Sequence, residues 1–160
     1  MSFNNIKANL RSEKGFTIVE LLIVIVVIGI LAAITIVSFN GVTAKANTTS
    51  AQAATSAVLK KAEAYNAEKG NYPLSGADLT GGAQNDSFFL TGVSFTAGVA
   101  NPTSTNGKNT VLLLKCAAAA ANQAAIVATN ITGIRVTYFN FSTNLTVSQD
   151  TGATVVCPTT

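Results

Sequence analysis

The chain has 160 residues, of which 48% are hydrophobic and 11% are charged, and it contains no histidine and two cysteines. Soluble domains are about 25% charged, so the composition argues against a wholly soluble monomer. Without histidine the chain has no imidazole base, no histidine metal ligand and no histidine-dependent catalytic triad. The net charge of +3 is concentrated at the amino terminus, where Lys7, Arg11 and Lys14 outnumber Glu13. No basic patch for nucleic acid is predicted from this distribution.

A long apolar segment follows the basic amino terminus. Positions 21–44 are 24 uncharged residues, mostly leucine, isoleucine, valine and alanine. A helix of about 20 such residues is long enough to cross a membrane. A basic flank before an apolar segment predicts that the amino terminus stays cytoplasmic and the rest of the chain is outside. The segment therefore predicts a single-pass membrane anchor.

Two positions make this segment unusual for an anchor. Glu20 lies within its apolar start, where a carboxylate either reaches the membrane interface, is protonated, or needs a cation from elsewhere. Gly15 separates the basic residues from Phe16, and cleavage after Gly15 would create a new amine at Phe16. That amine would lie one helical turn from Glu20. The two charges would be adjacent within one helix, and between neighbouring helices they would set the axial register.

Residues 14–34, KGFTIVELLIVIVVIGILAAI, resemble the class III leader and amino-terminal helix of bacterial type IV pilins and their type II secretion relatives. The resemblance implies that residues 1–15 are a leader, that a prepilin peptidase cuts after Gly15, and that the Phe16 amine is methylated. It also implies that Glu20 neutralises the Phe16 amine of an adjacent subunit. The sequence departs from many members of the family at Val37, where they have a proline.

The function implied by this resemblance is that of a structural subunit of a surface fibre for adhesion, twitching motility or DNA uptake, and not of an enzyme. The implied partners are identical or related pilin subunits, a prepilin peptidase, an inner-membrane platform protein and an assembly ATPase, and no cofactor is expected. The subunit would begin as a single-pass precursor in the cytoplasmic membrane and end in an extracellular fibre. A secretion pseudopilin and a membrane-anchored or secreted ligand-binding module are the alternatives.

An ordinary secretory signal peptide is a competing interpretation of the same segment. Ala44-Lys45-Ala46 fits a signal-peptidase site, and cleavage there would release a soluble chain that begins at Asn47. The apolar stretch is longer than the 7–15 residues usual for signal peptides, and it contains Glu20. Both features favour retention of the helix.

The helix is expected to continue beyond the membrane to about Lys69. The segment up to this point is rich in alanine, the best helix former, and it contains no proline before Pro73. Gly70 then follows as a helix-ending residue. An apolar stripe at helical spacing, formed by Ala51, Ala54, Val58, Ala62 and Tyr65, predicts a face that packs against a globular head. Residues 16–40 are accordingly predicted to be the membrane or fibre-core helix and residues 41–160 the head.

The remainder of the chain is predicted to form a small sheet. Residues 70–109 are expected to be a long loop with a short strand within 87–96. Runs rich in β-branched and aromatic residues predict strands at 110–116, 133–141, 144–148 and 153–157, whereas the alanine-rich stretch 117–128 is left open. The predicted fold is α+β, with a long amino-terminal helix packed against an antiparallel sheet.

Cys116 and Cys157 are predicted to lie outside the cytoplasm, where a disulfide bond is the usual state of two cysteines. Free thiols and a redox site are the alternatives, although the sequence has no CxxC motif. The resemblance implies the carboxy-terminal disulfide loop of pilins. Three scattered acids, Asp78, Asp86 and Asp150, are weak candidates for calcium ligands, and no metal site is predicted from them.

Overall fold

A computed structural model describes residues 15–153 and 156–159, and the predicted leader therefore lies almost entirely outside the described residues. The chain divides into two compact units, Met1–Phe39 and Asn40–Thr160. Each unit is described separately below.

Helix α1 comprises Ile18–Lys69. Between these residues the sequence has no proline and is dominated by aliphatic residues and alanine, so no position interrupts the backbone hydrogen bonds. The helix continues through Val37, where a proline is common in the family that the sequence resembles. It ends at Lys69 because Gly70 takes a left-handed conformation, with φ of 78°, and its amide donates to Asn66 O at 2.8 Å.

The part of α1 within the first unit is exposed along its whole apolar surface. Its buried residues all lie in the second unit and, apart from the adjacent pair Ala54 and Thr55, follow one another at intervals of three or four: Thr48, Ala51, Ala54, Thr55, Val58 and Ala62. This spacing places them on one face of the helix. The predicted stripe is confirmed, with Tyr65 at its end only partly buried.

The remaining elements are a short helix and four strands. They are α2 Ala77–Thr80, β1 Ser94–Phe95, β2 Thr110–Ala117, β3 Ile131–Asn140 and β4 Leu145–Gly152, with a 3-10 turn at Gln123–Ala125. The strands form one sheet in the order β1-β2-β3-β4. The predicted α+β fold is confirmed, but the sheet is mixed rather than antiparallel because β1 runs parallel to β2.

The last two predicted strands are wrong in their bounds. A single strand, β4, covers residues 149–152, which separate the two predicted strands, because all eight of its residues pair in register with β3, from Leu145 with Asn140 to Gly152 with Gly133. Within 153–157, the described residue Val156 makes only an isolated bridge to Ala117. The β3–β4 hairpin turns at Asn144, whose φ of 56° is left-handed, a conformation that asparagine tolerates.

The core of the second unit lies between the buried face of α1 and one face of the sheet. The side chains of β2 and β3 that share this face include Val111, Ile134, Val136 and Tyr138, and all four are buried. A hydrogen bond of 3.1 Å from Gln52 Nε2 to Tyr138 Oη links the helix to this face. The opposite face of β2 carries Leu112, Leu114 and Cys116.

Candidate functional site

Three of the predicted site residues lie at or just before the amino-terminal end of α1. Gly15 and Phe16 precede the helix in non-helical backbone, and Glu20 lies in its first turn. Phe16 is 80% exposed. A Cβ atom built on Gly15 would meet nothing within 4 Å, and Gly15 is not among the glycines with positive φ. Neither packing nor backbone conformation within the described residues therefore requires glycine at position 15.

Glu20 has a hydrogen-bond partner that the sequence interpretation did not include. One carboxylate oxygen, Oε2, accepts from the amide of Thr17 at 2.8 Å and from its hydroxyl at 2.6 Å. The amide of Glu20 donates back to Thr17 Oγ1 at 3.2 Å. These reciprocal bonds form a capping box, in which a threonine and a glutamate three residues later satisfy each other's backbone amides at a helix start.

The capping box gives Glu20 a partner within its own helix, and the predicted ion pair with a neighbouring subunit stays a prediction. In the described residues Glu20 makes no ion pair, and Thr17 donates two hydrogen bonds to one of its two carboxylate oxygens. The signal was present in the sequence, because threonine followed three residues later by glutamate before an apolar run is a pattern for a helix start. Thr17 is thus the functional candidate that the sequence interpretation missed.

The helix that follows meets the physical requirements for crossing a membrane. Ile18–Lys69 contains an 18-residue window with a mean hydropathy of 3.2, and none of this window is buried within the chain. It is the one such helix in the described part of the chain, by length and composition. The exposed window is not the core helix of a soluble domain, which would be mostly buried.

The two cysteines are joined in a disulfide bond. Cys116 is fully buried on the face of β2 that points away from α1. Next to it, Ala117 and Val156 exchange two backbone hydrogen bonds of 2.9 and 3.0 Å. The bond and the bridge together attach the carboxy-terminal segment to β2.

A second attachment joins β4 and the segment after α1 to the helix itself. Tyr72 is 7% exposed and its hydroxyl donates to the Glu63 carboxylate, at 3.1 and 3.2 Å from the two oxygens. Thr151, on β4, donates its hydroxyl to the same carboxylate. Burial, followed by the neighbouring Glu63 carboxylate, raises the pKa of the Tyr72 phenol. This cluster connects α1, the segment after it and β4 through one carboxylate.

The weak calcium candidates are held apart by separate interactions. Asp78 Oδ2 accepts the amides of Leu74 and Ser75, each at 2.8 Å, and Asp86 Oδ2 accepts the amide of Ala83 at 2.9 Å. Asp150 pairs with Arg135 on β3, and the hydrogen bond to its carboxylate raises the pKa of the guanidinium. Among residues 15–153 and 156–159, no three metal-binding side chains come together.

The class of the amino-terminal segment is given by a family model described as the prokaryotic N-terminal methylation motif, which matches residues 10–36. This match covers Gly15, Phe16 and Glu20 and the first half of the exposed apolar helix. It confirms the resemblance to type IV pilins at the residues on which the resemblance was based.

The similar proteins are pilus components. The chain is 44% identical to a fimbrial protein of Pseudomonas aeruginosa over 54 residues, which are 34% of this chain and 35% of that protein. It is 39% identical over 70 residues to the type IV wide pilus major component PilA4 of Thermus thermophilus, over 44% of this chain and 53% of that protein. The chain thus spans about a third to a half of the length of the curated relatives it matches. No solved structure matches the chain with significance.

Proposed function

We propose that the chain is the precursor of a type IV pilin, a structural subunit that polymerises through its amino-terminal helix into a surface fibre. The observation that carries the proposal is the matched methylation motif at the start of an exposed apolar helix long enough to cross a membrane. The names of the similar proteins support a pilus subunit over a secretion pseudopilin or a binding module.

Processing would separate residues 1–15 from the rest. The exposed, non-helical backbone at Gly15 and Phe16 suits a protease that must bind an extended substrate. Since nothing within the described chain requires glycine at position 15, the requirement would come from the active site of a prepilin peptidase. Cleavage after Gly15 would free the Phe16 amine for methylation.

Membrane storage and fibre assembly would use the same apolar surface. The exposed face of α1 in the first unit has to leave water, and a lipid bilayer or a bundle of identical helices satisfies this requirement equally. Transfer between the two environments then need not expose the whole apolar area to water. The basic residues Lys7, Arg11 and Lys14 favour a cytoplasmic amino terminus before assembly. An inner-membrane platform protein and an assembly ATPase would drive the transfer.

Glu20 would provide the register of assembly. In the subunit alone, its carboxylate accepts two hydrogen bonds from Thr17 and has no cation. In the fibre, the methylated amine of Phe16 from a neighbouring subunit would approach this carboxylate and form an ion pair in an environment of low polarity. Such a pair is stronger than the same pair in water, so a wrongly seated subunit would lose it.

Two variants of Glu20 test the proposal. Glu20→Ala and Glu20→Gln should both insert into the membrane at the normal level, because removal of the charge makes the segment more apolar. Both should lose surface fibres, since neither can pair with an amine. A matched control is Glu68→Gln, which neutralises an exposed acid near the carboxyl end of α1 and should leave fibres unchanged.

Fibre mass sheared from the cells and subunit mass in the membrane fraction are measured in parallel. Normal fibres from Glu20→Gln would overturn the role of the carboxylate. Short periplasmic assemblies from the unmodified chain would indicate a pseudopilin, and subunits that remain monomeric would indicate a binding module.

A further inference from the structure

A cleft of about 260 Å³ in the second unit is not used by the proposed assembly. It lies among the end of β1, the segment that precedes α2 and the middle of β2. Its apolar walls include Phe95, Val99 and Leu113. The ring of Phe95 lies against Gly76 so closely that a Cβ atom built on Gly76 would be 2.3 Å from it. The absence of a side chain at position 76 is therefore what allows the ring to occupy this place.

One charged side chain, that of Lys115, lines the cleft. Its ammonium donates one hydrogen to Ile126 O at 2.7 Å, and the group carries three hydrogens. In the described part of the chain no carboxylate pairs with it. The cleft thus combines apolar walls with a positive charge that has no negative partner.

The position of Lys115 is fixed by the side chain of Gln123. The amide group of Gln123 accepts from Lys115 N at 2.8 Å and donates to Lys115 O at 2.9 Å, as a neighbouring strand would. It also donates to Pro158 O. The side-chain oxygen and nitrogen of Gln123 are both used in these hydrogen bonds, so Gln123 fixes the backbone of Lys115 and is not itself available to a ligand. The ammonium of Lys115 is then the group that a ligand would contact.

Thr96 is another polar residue of the wall. Its Oγ1 is buried and has no hydrogen-bond partner among the residues described. A buried hydroxyl without a partner is uncommon in folded proteins and calls for an explanation. Thr96 lines the cleft, and because its hydroxyl has three staggered positions, a rotation about the Cα–Cβ bond moves it out of the place where it has no partner.

We propose that this cleft binds a small amphipathic carboxylate, with its apolar body against Phe95 and Leu113 and its carboxylate on the ammonium of Lys115. The hydroxyl of Thr96 rotates to donate to the second carboxylate oxygen. A single negative charge matches the single positive charge, whereas a doubly charged phosphate would bring an unpaired charge into an apolar site at a high desolvation cost. The cleft is smaller than the roughly 300–1,000 Å³ that holds drug-sized ligands, so the ligand is correspondingly small.

The test uses the full chain in zwitterionic detergent micelles, with phenylacetate as the probe and 2-phenylethanol as a neutral probe of similar shape. Residue-specific NMR shifts are followed during each titration. We expect saturable shifts confined to the methyl groups of Leu113 and Val99 and the amide of Thr96 with phenylacetate, and weaker ones with the alcohol. Equal affinity for the two probes, or no saturation, would overturn the proposal.

Matched variants separate the charge from non-specific effects. Lys115→Gln should weaken phenylacetate binding on the order of 10- to 100-fold, as expected for the loss of a charge-assisted hydrogen bond. Lys108→Gln removes an exposed lysine of the neighbouring loop and should bind as the unmodified chain does. Val99→Glu places a negative charge at an exposed wall position and should also weaken binding, which provides a second test if Lys115→Gln unfolds.

Two further outcomes decide the identity of the ligand. Unchanged binding by both Lys115→Gln and Val99→Glu would overturn the proposal. Shifts at the cleft that grow with protein concentration in the absence of phenylacetate would show that a second copy of the chain occupies it, and would overturn the assignment to a small molecule. Fibre assembly does not enter this test, so its result is independent of the proposed function.

Discussion

Removal of the Cys116–Cys157 disulfide bond should lower the stability of the second unit by a large, calculable amount. The two cysteines are 41 residues apart in sequence. The loop-entropy model gives a stabilisation of about 4 kcal/mol for a closed loop of this length. The segment between the two cysteines contains strands β3 and β4, so the disulfide bond constrains two of the four strands of the sheet.

This free energy translates into a shift in the melting temperature. The second unit, Asn40–Thr160, has about 120 residues. With an unfolding entropy of about 2.1 cal/mol/K per residue, a loss of 4 kcal/mol lowers Tm by roughly 15 °C. Near-ultraviolet circular dichroism of the full chain in detergent is the suitable assay, because the tyrosines lie in the second unit and report its packing.

Two perturbations of the same bond should agree. Reduction of the unmodified chain removes the bond without removing atoms, whereas Cys116→Ala with Cys157→Ala also removes two sulfur atoms and adds a small cavity cost. We expect both to melt roughly 15 °C lower, with the alanine variant slightly less stable. If reduction lowered Tm by less than about 4 °C, the entropy argument would be refuted, and the bridge between Ala117 and Val156 would be holding the segment by itself.

Three further predictions follow from side-chain contacts. Tyr72→Phe should cost about 1 kcal/mol of unfolding free energy in urea, because it removes one of the two hydroxyl donors to the exposed Glu63 carboxylate and leaves the one from Thr151. Because the pKa of Tyr72 is raised in the folded state, the stabilisation by its protonated hydroxyl is complete below about pH 10 and is lost as the pH rises further. Above about pH 10 the unfolding free energy of the unmodified chain should therefore fall more steeply than that of Tyr72→Phe. Parallel plots of unfolding free energy against pH would contradict this. Asp150→Asn should lower the unfolding free energy by no more than about 1 kcal/mol, and by less in high salt, because its ion pair with Arg135 is partly exposed. A larger loss in urea unfolding that does not depend on salt would contradict this. Thr17→Val should speed amide hydrogen exchange in the first turn of α1 on the order of fivefold, because it removes the capping box. Thr17→Ser keeps a hydroxyl and should not speed the exchange. Equal exchange rates in the two variants would show that the capping box does not protect these amides.

The helix and the interior of the sheet could be predicted because their signals are local and repeated. Alanine and aliphatic residues extend to Lys69, and Gly70 ends the helix through its positive φ. The stripe from Ala51 to Ala62 reports burial through its spacing alone. In β3, β-branched and aromatic residues mark a strand that has neighbours on both sides.

The edges of the sheet were harder to predict because their order depends on partners distant in sequence. Strand β1 has two residues, and it is defined by parallel pairing of Ser94 with Thr110, which no local pattern encodes. In β4, Gln149, Asp150 and Gly152 have low strand propensity, and they extend because β3 provides a full-length partner. Tertiary pairing outweighs propensity at both positions.

At the amino-terminal site the sequence does contain a local signal, because Thr17 followed three residues later by Glu20 is the pattern of a capping box. The offset between Phe16 and Glu20 predicts an ion pair with the freed amine, within one helix or between neighbouring helices. The threonine between them, Thr17, donates two hydrogen bonds to Oε2 of the carboxylate. Assembly would add the Phe16 amine of a neighbouring subunit to a carboxylate that already has a partner in its own chain.

The most direct test of the account is the intact mass and amino-terminal sequence of the native protein recovered from the cell surface. The account predicts a chain that begins at Phe16, carries one additional methyl group on its amine and retains the disulfide bond. A chain that begins at Asn47 would mean that the apolar helix is discarded, and it would contradict the proposal that this protein is a pilin subunit.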